Sequence, residues 1–175
     1  MSWKFLMPVF VLVSCAGDAT ETTIDTNENE VAVTSAEVLT PVDFNNEVSF
    51  MQDGILSQID ALFQSDSSNI DVNFENTIFE IDLNVESLNA MKIPAGGDSL
   101  KVAMLEFMNY YKIELNGEFQ TIIPLLKKPE WTKAEEKQVQ DYDLKFANEE
   151  KVMFDKVISE QEKFAKANRI ELQEL

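Results

Sequence analysis

Apolar residues recur along most of this chain at intervals of three and four. Phe44, Val48, Met51, Ile55, Ile59 and Leu62 form the first such stripe, a spacing that gathers side chains on one face of a helix. Pro41 stands at its start and Gly54 lies inside it, the glycine costing about 1 kcal/mol relative to alanine. Ser65 to Asn69, rich in N-cap residue types, separates it from a second run of Phe74, Ile78, Ile81, Val85 and Leu88. This second run carries two patterns at once. Phe79, Ile81, Leu83 and Val85 alternate with Glu80, Asp82 and Asn84, as in a half-buried strand, and on a helix Phe79 and Leu83 point away from the main stripe. The helical spacing runs longer than the alternation and favours a helix, with a strand inside 70–90 as the alternative.

Pro94-Ala95-Gly96-Gly97 is the clearest break in the pattern. Asp98 or Ser99 then caps a third run of Leu100, Met104, Phe107, Tyr111, Leu115, Phe119 and Ile122. Asn116-Gly117 is a candidate interruption of this run, and Pro124 is expected to kink or end it. After Lys127-Lys128-Pro129, Thr132 and Glu135 stand at capping-box spacing. The last run carries Val139, Tyr142, Phe146, Met153, Val157 and Phe164 and contains neither Gly nor Pro. Asp141 with Lys145 and Glu162 with Lys166 have the favourable i,i+4 orientation. Four amphipathic segments joined by short breaks predict an all-α fold, an up-and-down four-helix bundle over 41–175.

Composition narrows the chemistry more than it shapes the fold. The chain has no histidine and one cysteine, which excludes Ser-His-Asp and Cys-His pairs, Cys/His zinc sites and an internal disulfide. A di-iron bundle is excluded for want of Glu-x-x-His, and neither a D-x-[DN]-x-[DN]-G calcium loop nor a phosphate-cradling Gly-rich loop occurs. Carboxylate pairs can hydrolyse glycosides without histidine, but among 32 acidic residues no pair stands out by spacing. The expectation is therefore no enzyme, no metal and no cofactor. The formal net charge of −18 repels phosphate backbones and argues against nucleic acid.

The charge is also lopsided. From Ala16 through Met91 there are sixteen Asp or Glu and no Lys or Arg, whereas from Lys127 onward ten basic residues face twelve acidic ones. The first half thus presents a one-sided negative field, suited to a basic protein, a cationic peptide or divalent ions, the ordinary alternative being a solvated face that keeps the tether extended by self-repulsion. Phe79, Leu83, Tyr110 and Trp131 form a candidate interaction surface, provided they are exposed together. The ordinary alternative is that a second helix face is buried as well.

The first fifteen residues carry an address. Lys4 precedes the nine-residue apolar run Phe5–Val13, too short to span a bilayer, and Leu12-Val13-Ser14-Cys15 closes it. This arrangement resembles the signal peptide and lipobox of bacterial lipoproteins. The resemblance implies cleavage before Cys15, diacylglycerol on its thiol and a third acyl chain on the new amino group, with the outer membrane favoured by Ala16 at the next position. Asp18 and Glu21 faintly resemble acidic signals for the cell surface. Ala16 to Thr40 is polar, acidic and devoid of aromatics, a composition that reads as a flexible tether of roughly 25–30 Å root-mean-square reach. The expected organisation is a signal over 1–14, a lipidated cysteine and tether over 15–40, and the bundle over 41–175. The expected role is a lipid-anchored, non-catalytic binding or scaffolding module of the cell envelope with an acidic surface. The alternatives are a carrier of a small apolar ligand between helices and a carboxylate enzyme acting on envelope polymers.

Overall fold

The computed structural model describes residues 38–172. The signal segment, Cys15 and the acidic segment as far as residue 37 lie outside the described residues.

Thr40 accepts a hydrogen bond from the backbone N–H of Asp43 at 3.1 Å, and Pro41 follows in the first helical position, so α1 (Pro41–Phe63) starts where its missing N–H costs nothing. Asp66 organises the next loop by accepting from the N–H groups of Ser68 and Asn69 at 2.8 and 3.1 Å. From there α2 runs over Ile70–Ala90 without interruption. The segment with the strand-like alternation is helical from end to end. It is followed by α3 (Asp98–Asn116), α4 (Phe119–Leu126) and α5 (Lys133–Asn168), and no strand occurs among the described residues.

The fold is all-α, as the spacing predicts. The expected third helix, however, is divided into α3 and α4 at Asn116-Gly117. Gly117 has φ −101 and ψ −108, and a Cβ built on it would stand 2.8 Å from the carbonyl oxygen of Ile113. The chain can therefore turn back over its own last helical turn only at a glycine. Pro124 lies inside α4, which ends two residues later at Leu126. The Trp131 indole N–H donates to the carbonyl of Leu125 at 2.6 Å, beside the bond that the same carbonyl accepts from the Lys128 N–H at 3.0 Å.

Four long helices alternate in direction. Lys112 and Lys101 of α3 reach Asp82 and Asn89 of α2 in antiparallel register, while Glu106 and Glu114 of α3 meet Lys156 and Lys145 of α5. Phe44 packs edge-on against Phe164 at 5.5 Å and Phe63 against Phe146 at 5.0 Å, which sets α5 antiparallel to α1 and closes the ring. At one end Phe119 of α4 lies between Phe63, Phe74 and Tyr142, so α4 seals the bundle there.

Thr132 and Glu135 form the capping box that opens α5: the Glu135 N–H donates to the Thr132 hydroxyl at 3.3 Å, and the Thr132 N–H donates to the Glu135 carboxylate at 2.9 Å. α5 stops at Asn168, because Arg169 takes a left-handed conformation at φ 58 and the Ile170 N–H returns to the Ala165 carbonyl at 2.9 Å. Ile170 then packs against the core, the apolar contact that accompanies such a helix stop. At the other end, Leu39 also packs against the core and its N–H donates to the Lys92 carbonyl at 3.0 Å. The i,i+4 pairs expected on α5 do not form. Asp141 pairs with Lys137, Lys145 turns to α3 and α4 instead, and Glu162 and Lys166 make no ion pair among the described residues.

Gly54, inside α1, and Gly117, at the end of α3, predict opposite outcomes. Nothing lies within 4 Å of a Cβ at Gly54, so Gly54→Ala is expected to stabilise the fold by about 0.5–1 kcal/mol. Gly117→Ala is expected to destabilise it by more than about 1 kcal/mol. Urea denaturation of the two variants checks both signs, and equal effects would contradict this reading of the α3–α4 break.

Candidate functional site

The inner face of α5 is apolar at Val139, Tyr142, Phe146, Val157 and Phe164. With Met153, partly buried against the same core, the series has two steps of seven, from Phe146 to Met153 and from Val157 to Phe164. Four residues into these steps stand Glu150 and Gln161, both buried. The residue missing from each gap of the stripe is thus a polar residue inside the bundle.

Gln161 donates from Nε2 to the Ser49 hydroxyl at 2.7 Å and to Asn45 Oδ1 at 3.3 Å, which ties α5 to α1. Glu150 accepts from the Tyr111 hydroxyl at 2.6 Å, which ties α5 to α3. Around this bond the aromatic packing is dense. The ring of Phe146 lies 5.8 Å from Tyr110, 6.0 Å from Tyr111 and 5.9 Å from Tyr142. Tyr110 donates to the Phe146 carbonyl at 3.0 Å. Burial raises the proton affinity of Glu150; the Tyr111 bond opposes this, and the negative charge of Asp60 on α1 adds to it. Burial likewise pushes the Tyr111 phenol well above its ordinary range, with Glu150 reinforcing the effect. Burial thus shifts both groups toward protonation, and the hydroxyl keeps its proton to donate.

One turn toward α4, Lys145 sits among three carboxylates: Glu118 at 2.6 Å, Glu114 at 3.5 Å and Glu149 at 3.9 Å. The hydrogen bond to Glu118 raises its proton affinity most. The lysine occupies the place that a cation would otherwise take, and no group of three metal-ligating side chains suited to a metal ion occurs among the described residues. The Tyr142 hydroxyl beside this cluster is buried and makes no hydrogen bond. A hollow of about 300 Å³ opens to solvent between α3 and α5, lined by Asp98, Ser99, Val102, Lys156 and Glu160. None of the groups around Glu150 lines it.

The outer surface is organised differently. Residues 41–91 hold ten carboxylates and no Lys or Arg, and among the described residues only Asp71 and Asp82 of these form ion pairs, with Lys127 and Lys112. Seven of the ten basic residues from Lys127 onward are in ion pairs inside the molecule, among them Lys128, Lys137, Lys151, Lys156 and Lys163. Positive charge is thus consumed within the fold, while the α1–α2 hairpin keeps its negative charge.

The four residues singled out as an interaction surface fall in three places. Phe79 and Leu83 are exposed together on the outer face of α2, at 60% and 44%. Tyr110 is half-buried in the α3–α5 seam, its hydroxyl engaged. Trp131 is half-buried against the end of α4, its indole engaged. Compared with protein-family models, with curated proteins and with solved structures, the chain matches none.

The seam predicts a pH dependence of stability. A carboxyl whose proton affinity rises on folding stabilises the fold below its unfolded value, about 4.3 for Glu, and that contribution fades as pH rises through the folded value. Glu150, and with it Asp143 and Asp53, whose carboxyls burial also pushes up, have this sign. Glu135 has the opposite sign, its pKa lowered to about 2 by Lys128 and Thr132, but it stays ionised throughout pH 5–7. Thermal melts should therefore show a higher Tm at pH 5 than at pH 7, and Glu150→Gln should shrink that difference. Tyr111→Phe, which leaves the carboxyl without its donor, should cost about 1–3 kcal/mol. A Glu150→Gln variant with the unchanged pH dependence would contradict the assignment.

Proposed function

We propose that this chain is a lipid-anchored, non-catalytic binding module of the bacterial cell envelope, presenting its acidic α1–α2 hairpin to a basic protein or peptide. The anchor in this reading is Cys15, with the outer membrane favoured, at its periplasmic face or at the cell surface. No described helix is long and apolar enough to cross a membrane, and the acyl chains supply the attachment; two or three chains hold where a single one is marginal.

The observation that carries the binding role is the segregation of charge. Eight of the ten carboxylates over 41–91 have no cationic partner among the described residues, whereas the lysines of the second half are largely spent on internal ion pairs. A surface with unspent charge of one sign steers partners of the other sign and repels its like. Catalysis has no part in this reading, because Glu150 is already engaged by Tyr111 among packed rings. The carrier alternative draws little support from a hollow that opens to solvent beside Lys156 and Glu160.

Two measurements test the two halves separately. Metabolic labelling with radioactive palmitate is expected to mark the wild-type chain and to leave Cys15→Ala unlabelled; a variant that still labels would overturn the anchor. Photo-crosslinking in intact cells from exposed positions of α1 and α2 is expected to attach a protein or peptide of net positive charge. Recovery of acidic partners alone, or turnover of a glycan by the purified chain, would overturn the binding role.

A further inference from the structure

α2 has two apolar faces. Ile70, Ile81 and Leu88 are buried in the bundle, and Phe74, Ile78 and Val85 pack against the same core. Successive helix residues are turned by about 100°, so residues two apart lie nearly opposite each other. Phe79 and Leu83 therefore face away from Ile81 and Val85, and Val72 and Ala90 fall on the same outer line. All four are exposed. The stripe from Val72 to Leu83 spans three turns, about 16 Å. On the side of this stripe toward α3 lie Glu75 and Glu86, both exposed and neither in an ion pair among the described residues, with Asp71 and Asp82 beyond them. Glu80 flanks the other side.

Resting on the binding role above, we propose that the outer face of α2 is the docking line, and that its occupant is a cationic amphipathic helix of another protein. The apolar side of that helix would cover Val72, Phe79 and Leu83, and its lysines or arginines would meet Glu75, Glu80 and Glu86. Charge decides among the occupants. A second copy of this chain brings a net charge of −18, and its basic half has most of its lysines already paired. The chain's own segment 16–37 carries six carboxylates and no cation. An anionic bilayer is repelled for the same reason. A cationic amphipathic helix alone satisfies both the apolar line and its acidic margins, its own apolar face supplying anchors at i, i+3, i+4 and i+7.

The test uses the full chain carrying Cys15→Ala and a synthetic helix of about 18 residues, leucine on one face and lysine on the other, long enough to cover the stripe. Titration calorimetry at low salt is expected to show saturable binding that weakens as salt is raised. Phe79→Asp with Leu83→Asp is expected to weaken it at least about tenfold, as loss of central apolar anchors does. Both sites are exposed, and circular dichroism checks that the fold persists. Binding that survives this pair of changes but falls when Asp43, Glu47 and Asp53 of α1 are neutralised would overturn the α2 docking line while leaving the acidic-surface reading in place. Absence of binding to either face would overturn both. Concentration-dependent dimerisation in the ultracentrifuge, abolished by Phe79→Asp, would make a second copy the occupant and overturn the heterotypic one.

Discussion

The bundle is held in register by a buried hydrogen bond, that of the Tyr111 hydroxyl to Glu150 between α3 and α5. Apolar stripes alone tolerate sliding, because one leucine-sized residue packs about as well as the next. A buried carboxyl does not, since shifting α5 along α3 leaves it without its donor in a low-dielectric interior. The Gln161, Ser49 and Asn45 contact does the same between α5 and α1, nearer the opposite end. With α5 fixed against both neighbours at two levels, Phe146 comes to rest among Phe63, Tyr110, Tyr111 and Tyr142. The short α4 then has one place to go, across the end where Phe119 meets Phe63, Phe74 and Tyr142.

Much of this was legible from residue spacing, and what was not has specific causes. The start at Pro41, the cap at Thr132, the break at Pro94–Gly97 and the four apolar stripes each rest on local chemistry, which the sequence displays directly. Glu150 and Gln161 were hidden by the abundance of acidic and polar residues, although the two seven-residue gaps in the α5 stripe mark their positions. The stop at Asn168 was hidden because Arg169 takes a conformation usually given to glycine, so no glycine announces it. The ion pairs of α5 were misread because i,i+4 spacing describes an isolated helix. In the bundle, Lys145 finds Glu118 and Glu114 of other helices closer than its own neighbour at i+4. The candidate interaction residues divided for a similar reason: Tyr110 and Trp131 each carry a polar atom that an adjacent carbonyl accepts, whereas Phe79 and Leu83 have no such tie.

The ambiguity of the second segment and its exposed face are one fact. A strand shows alternation because its two faces differ; a helix shows it over a few residues when apolar side chains stand on opposite sides. Phe79, Ile81, Leu83 and Val85 alternate because the first and third point outward and the second and fourth point inward. A helix that is apolar on one side only needs one neighbour, and α2 has that neighbour in the bundle. Its second apolar side is surplus to the fold.

Such a surplus is costly to leave uncovered, since burying a Phe, Leu or Val side chain is worth roughly 1.5–3 kcal/mol each, and an apolar line three turns long invites self-association. The carboxylates along α2 answer that hazard. Glu75, Glu80 and Glu86 border the line, and no cation stands anywhere from Ala16 through Met91 to neutralise them, so two copies that approach through this face bring like charges together as the apolar contact forms. The same arrangement has the opposite effect on a cationic helix, for which charge and apolar area act in one direction. In the proposed docking, discrimination between self and partner would come from a single composition, acidic margins around an apolar centre, without any pocket shaped for the partner.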